Sequence, residues 1–245
     1  MAMRPDSRLR ARLIVFVILL VTALDLHMIQ PYGCLTSAYG AAADQLQAVQ
    51  PERQLPALPN GCEVTSLAMA LQAAGYPIDK ETLYEAYLPK QSLVDVDGDR
   101  QSGSPEVAYI GDATDAEGGW YCFEPPVIAA GDAWLEDNGS ARRMQQLSGM
   151  DQITLDAYAK NAQPLIVWVT LDYQPPQRDD AYAWMFPDGS EYVPYMNLHC
   201  VVLTGEEKGF YRIADPLAGW RFVKKDVFWQ SFDAMGRRAV AVAEV

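Results

Sequence analysis

The sequence predicts an α+β fold, and three observations carry that prediction. A helical apolar pattern spans residues 61–74, a second helix-like segment follows at 79–88, and β-rich runs with hairpin signals dominate the C-terminal third. Helices thus precede a mostly antiparallel sheet, the order of N-terminal helices packed against that sheet. Half of the 245 residues are hydrophobic, enough to build a buried core.

The first helix rests on Val64, Leu67, Ala68 and Leu71, which follow the i, i+3, i+4, i+7 repeat, with Gly75 and Pro77 to stop it. The second begins at Asp79, a suitable N-cap. From about 89 to 126 the chain is rich in Asp, Gly, Ser and Pro and reads as long loops. Within it "DVDGD" (95–99) resembles part of a calcium loop, but the EF-hand spacing is not met and a turn is the better reading. "PLIVWVT" (164–170) reads as a buried strand. "LHCVVLTG" (198–205) and "GFYRIAD" (209–215) read as strands joined through "GEEK" in a hairpin. A helix at 224–235 and a strand at 238–245 close the chain.

Ahead of this domain, Arg4, Arg8, Arg10 and Arg12 precede the apolar run "LIVFVILLVTAL" (13–24). That is the pattern of a signal peptide or signal anchor, here placed at 1–40, with the folded domain at 41–245. The run has 12 residues, short for a span that usually needs about 20, so cleavage and anchoring both stay open. Basic residues on its N-terminal side predict an extracytoplasmic domain, secreted or anchored, with membrane contact only through this segment. Beyond residue 40 there are 15 basic and 30 acidic residues, a surface that repels phosphate backbones and excludes nucleic acid as a partner. No spacing suggests a metal or cofactor motif, and Cys34, Cys62, Cys122 and Cys200 form no CxxC pair. A Cys34–Cys122 disulfide is conceivable if the N-terminal segment is retained.

The chemistry centres on "LPNGCEVTSLAMAL" (58–71). Asn60 as N-cap and Glu63 three residues later match a capping box, which sets Gly61 at N1 and Cys62 at N2. There the helix dipole and free backbone N–H groups favour thiolate over thiol, and Gly61 clears space for a substrate backbone. Alone, Cys62 reads as well as a small buried hydrophobe. The exported part contains one histidine, His199, on the same strand face as Val201 and Leu203, with Cys200 and Val202 on the other. It is the sole imidazole there available as a general base. Asp215 ends the neighbouring strand, within reach of that imidazole, to fix its tautomer; a strand-end turn former is the plain alternative.

These residues also carry a resemblance. "LPNGCEVTSLAMAL", "YIGD" with "GGWYCFEPPV" (109–127), "PLIVWVT", "HCVVLTG" and "ADPLAGW" (214–220) resemble bacterial members of the C-thirty-nine group of cysteine peptidases, over roughly residues 50–240. The resemblance implies a papain-like α+β fold with Cys62 as nucleophile, His199 as base and Asp215 as orienting residue. It further implies an oxyanion-hole glutamine upstream. Gln54 is the candidate, eight residues before Cys62 where the papain motif has six. Cys200 would point away from the cleft as a structural residue. The expected function is an exported cysteine peptidase acting on a peptide or protein substrate. The leader peptidases of the group are fused to a transporter ATPase; this chain has no GxxxxGK[ST] segment, so a double-glycine leader substrate does not carry over. Two alternatives stay open, an acyltransferase or transpeptidase using the same triad and a non-catalytic peptide- or cell-wall-binding module.

Overall fold

The computed structural model describes residues 48–244. The segment expected to be a signal peptide or signal anchor, His27, Cys34 and any Cys34–Cys122 bond lie outside the described residues. Among those described, no helix is long and apolar enough to cross a membrane.

Helix α1 (Cys62–Ala73) leads, followed by α2 (Lys80–Thr82), which continues as a π-helical turn over Leu83–Tyr87. Asp79 caps α2, its carboxylate accepting the Thr82 N–H at 2.7 Å. The stretch read as loops instead holds β1 (Lys90–Gln91), β2 (Val94–Val96), β3 (Asp99–Gln101) and β4 (Tyr109–Ile110). Asp97 and Gly98 both have positive φ, so "DVDGD" is the tight turn of the β2–β3 hairpin. These strands are too short to show a period-2 signal in the sequence, and β1, β2 and β3 are also largely exposed.

Helix α3 (Glu124–Asp137), β5 (Arg143–Gln146) and α4 (Gln152–Lys160) are additions to the sequence reading, and β6 (Leu165–Thr170) is the buried strand expected. Short strands β7 (Trp184–Met185) and β8 (Glu191–Tyr192) follow, and with β2 and β3 they form a four-stranded sheet. Strands β9 (Leu198–Glu207) and β10 (Phe210–Asp215) form the expected hairpin, although its turn is Lys208–Gly209 and β9 runs on to Glu207. Strand β11 (Gly219–Lys224), helix α5 (Lys225–Ala234) and β12 (Ala239–Ala243) complete the chain.

The main sheet has the order β11–β10–β9–β6–β12–β5, every pair antiparallel. Side chains alternate across it. Ile166, Trp168, Cys200 and Val202 join α1 and α3 on one face; Leu165, Val167, Val201 and Leu203 join α4 and α5 on the other. The sheet is therefore covered on both faces, which is why β6 is apolar at nearly every position. Each fully buried aromatic such as Phe228 adds on the order of 1.5–3 kcal/mol of hydrophobic stabilisation. Helix α1 is likewise buried on all sides except at Gln72, where the sequence pattern predicts a single apolar stripe.

Candidate active site

The first turn of α1 is built from the loop before it. Gly61, not Asn60, is the N-cap, and no side chain caps the helix, so Cys62 is the first helical residue. The Asn60 side chain is drawn away instead, donating to the Asp115 carbonyl at 2.8 Å, while its own backbone carbonyl accepts from Tyr109 Oη at 2.9 Å. Gly119 makes this docking possible, because a Cβ there would lie 2.8 Å from Asn60 Cβ. Gly61 serves packing as well: a Cβ would stand 2.6 Å from Leu58 Cβ. Close approach to Leu58 explains this glycine without a substrate.

Glu63 departs furthest from its expected role. It does not reach back to cap the helix. Its side chain is wholly buried, with Oε1 accepting the Cys122 N–H at 3.2 Å and Oε2 accepting from Cys62 Sγ at 3.3 Å. Burial raises the Glu63 carboxyl to about 7, against its hydrogen bonds, which lower it. Cys62 is 8% exposed, and burial pushes its thiol well above the ordinary value, with the Glu63 charge adding to the rise. A thiolate favoured by the helix start is thus not what the resting site holds. A hydrogen bond from the Cys200 backbone lowers the value, but burial and the Glu63 charge exceed it. A helix without a solvent face was the signal that could have found Glu63, since such a helix leaves a glutamate nowhere to go but inward.

The strand side behaves differently. His199 is the second residue of β9, paired with Val169 of β6, and Asp215 closes β10. His199 Nε2 lies 2.9 Å from Asp215 Oδ1, and both residues are buried. Burial alone would raise the Asp215 carboxyl; the His199 ring and the N–H groups of Leu217 and Ala218 overcome this and hold it at about 2. Arg221 Nη1, 3.4 Å from Asp215 Oδ2, also reaches Asp172. With Nε2 committed to the carboxylate, Nδ1 is the ring atom left to take a proton.

Gln54, Cys62 and His199 line one cleft of about 360 Å³. Gln54 is 2% exposed; its backbone N–H donates to the Pro216 carbonyl at 3.0 Å and its Nε2 to the Pro59 carbonyl at 2.6 Å. One Nε2 hydrogen remains uncommitted, and Oε1 has no partner. Trp120, Tyr121, Tyr182 and Tyr195 form an aromatic wall, tied together by the Tyr121–Tyr192 hydroxyl contact at 3.0 Å and the Tyr195 N–H on Tyr121 Oη at 2.7 Å. Elsewhere, Trp168 and Trp184 are core, and Trp220 is exposed on β11. Cys200 is core too, fully buried in the layer shared with α1. Among the described residues no group of His, Cys, Asp or Glu is arranged to hold a metal.

A helix-borne thiol and a strand-borne His–Asp pair on one cleft, over this order of helices and antiparallel strands, define a papain-like α+β architecture. Residues 46–240 match the model of the Peptidase_C39 like family, and the chain belongs to that family. It is similar to YvpB of Bacillus subtilis strain 168, an uncharacterized protein, with 29% identity over 191 residues covering 76% of this chain and 70% of that one. Among solved structures it is similar to a candidate C39-like peptidase from Bacillus anthracis, at 28% identity and a TM-score of 0.68, covering 80% of this chain and 95% of the other.

Proposed function

We propose that this protein is an exported cysteine peptidase, hydrolysing peptide or related amide bonds with Cys62, His199 and Asp215, assisted by Gln54. The observation that carries the reading is the buried His199–Asp215 pair, 2.9 Å apart, on the same cleft as the Cys62 thiol. Core packing alone gives no reason to bury an ionised carboxylate against the one imidazole of the domain beside a thiol.

In this mechanism His199 Nδ1 takes the proton from Cys62 Sγ, breaking the S–H bond and leaving its electron pair on sulfur. The sulfur attacks the scissile carbonyl carbon, and the carbonyl electrons move to oxygen. The Cys62 backbone N–H and the free Gln54 Nε2 hydrogen stabilise that oxygen. The imidazolium, balanced by Asp215, returns its proton to the leaving amine. Water, deprotonated by the same ring, then releases the acyl group and restores the thiol.

Residues 1–40 support delivery outside the cytoplasm, through four arginines ahead of an apolar run. The aromatic wall supports a peptide substrate that offers apolar side chains. The test is incubation of the purified protein and its Cys62→Ala variant with a peptide library, products read by mass spectrometry with and without an added amine. New C-termini made only by the native protein are expected. Amine-capped products in place of free acids would instead indicate acyl transfer, and identical activity in the variant would leave a binding module.

A further inference from the structure

The buried carboxylate beside the thiol has no part in the mechanism above. The titratable groups that feel the Glu63 charge are Cys62 on its own helix, Tyr109 of β4, Cys122 at the entry to α3 and Cys200 of β9. None is a cation. A carboxylate placed wholly inside the protein without a counter-charge costs stability unless hydrogen bonds hold it. The bonds it receives come from its own backbone N–H, the Cys62 thiol and the Cys122 N–H. An amide side chain of the same shape could accept from the Cys122 N–H equally well. What the charge alone does is act on the sulfur.

We propose that Glu63 is a positioning residue for Cys62: its carboxylate accepts the Sγ–H proton in a hydrogen bond and holds the nucleophile at rest as a thiol turned into the protein, until His199 takes that proton. The inference rests on Cys62 being the nucleophile. The proton passes from Sγ to His199 Nδ1, one S–H bond breaking and one N–H bond forming, while Glu63 keeps its own protonation state. Once the thiolate exists, the Glu63 charge opposes it. Cys62 is therefore reactive when a carbonyl is in place to take up the sulfur electrons, and quiet otherwise. Near neutral pH the carboxyl itself titrates, and protonation removes the opposing charge.

The test compares Glu63→Gln with the native protein by the pH dependence of iodoacetamide labelling at Cys62, located by mass spectrometry. This change keeps the shape of the side chain, and the Cys122 N–H keeps an acceptor. The expected result is a labelling midpoint at least one pH unit lower, with about tenfold faster labelling between the two midpoints. An unchanged midpoint overturns the proposal. A second measurement holds if that variant fails to fold: carbon NMR of glutamate-labelled protein follows the carboxyl that titrates near neutrality. Cys62→Ala removes its thiol donor and should raise that midpoint; no movement overturns the proposal. Should Cys62 label no faster than Cys122 and Cys200 in the native protein, the peptidase reading falls, while the carboxyl titration still decides the coupling to Glu63.

Discussion

Two buried carboxylates, one bonded to His199 and one to Cys62, are treated in opposite ways. On the strand side, Asp215 receives the His199 ring, two backbone N–H groups and the edge of an arginine, and it stays ionised down to about pH 2. On the helix side, Glu63 receives its own backbone N–H, the Cys122 N–H and a thiol, none of them charged, and burial raises it to about 7. Burial of both residues does not produce equal charge; the donors decide. The strand side is built to stabilise an imidazolium, whereas the helix side is built to retain protons. In the proposed mechanism Cys62, on the helix side, gives up its proton across the cleft to His199.

The largest expected effect comes from cutting that transfer. Cys62→Ala or His199→Ala should lower peptide hydrolysis by about 10⁴-fold or more, and the double variant should be little worse than either single one, because the two residues act as a unit. Additive losses in a turnover assay would break the pairing. Next, Gln54→Ala should lower kcat by on the order of 10²-fold with little change in KM, since the missing donor acts on the charge that develops on the carbonyl oxygen. A change confined to KM would make Gln54 a binding residue.

Stability separates the two carboxylates more gently. Asp215→Ala strips His199 of its partner and leaves Arg221 facing an empty place. A loss of about 3 kcal/mol is expected in urea unfolding at pH 7. Because the folded-state value of Asp215 is depressed, its contribution is present above the ordinary carboxylate range and disappears as pH falls toward 2. Glu63 has the reverse sign. Its raised value means the native state holds a proton more tightly than the unfolded chain does. That relative stabilisation is complete below about pH 4 and is lost as pH rises through about 7. Glu63→Gln should therefore gain up to about 3 kcal/mol on the native protein between pH 4 and pH 8. Parallel stability curves for the two proteins would erase the contrast.

How much of this was legible in the sequence follows from which interactions are local. Helix α1, the β9–β10 hairpin and the His199–Asp215 contact could be read from residue patterning, because the hairpin brings the start of β9 near the end of β10. The small strands between residues 90 and 110 could not: β2 and β3 pair locally but are only three residues each and solvent-facing, and β3 also pairs with β7, far along the chain. Asn60 and Glu63 showed a capping pattern that tertiary contacts overrode. Asp115 and Ala116 claim the asparagine, and the core claims the glutamate. Local sequence shows a possible cap; it does not show a competing loop that arrives from 55 residues away.

The central claim is that a thiol at the start of α1 and an imidazole on β9 act as one group. The most direct measurement is the rate of iodoacetamide labelling at each cysteine in the native protein and in His199→Ala. Preferential labelling of Cys62, slowed markedly in His199→Ala at neutral pH, is the predicted result. Uniform slow labelling of Cys62, Cys122 and Cys200, indifferent to the loss of His199, would contradict the account.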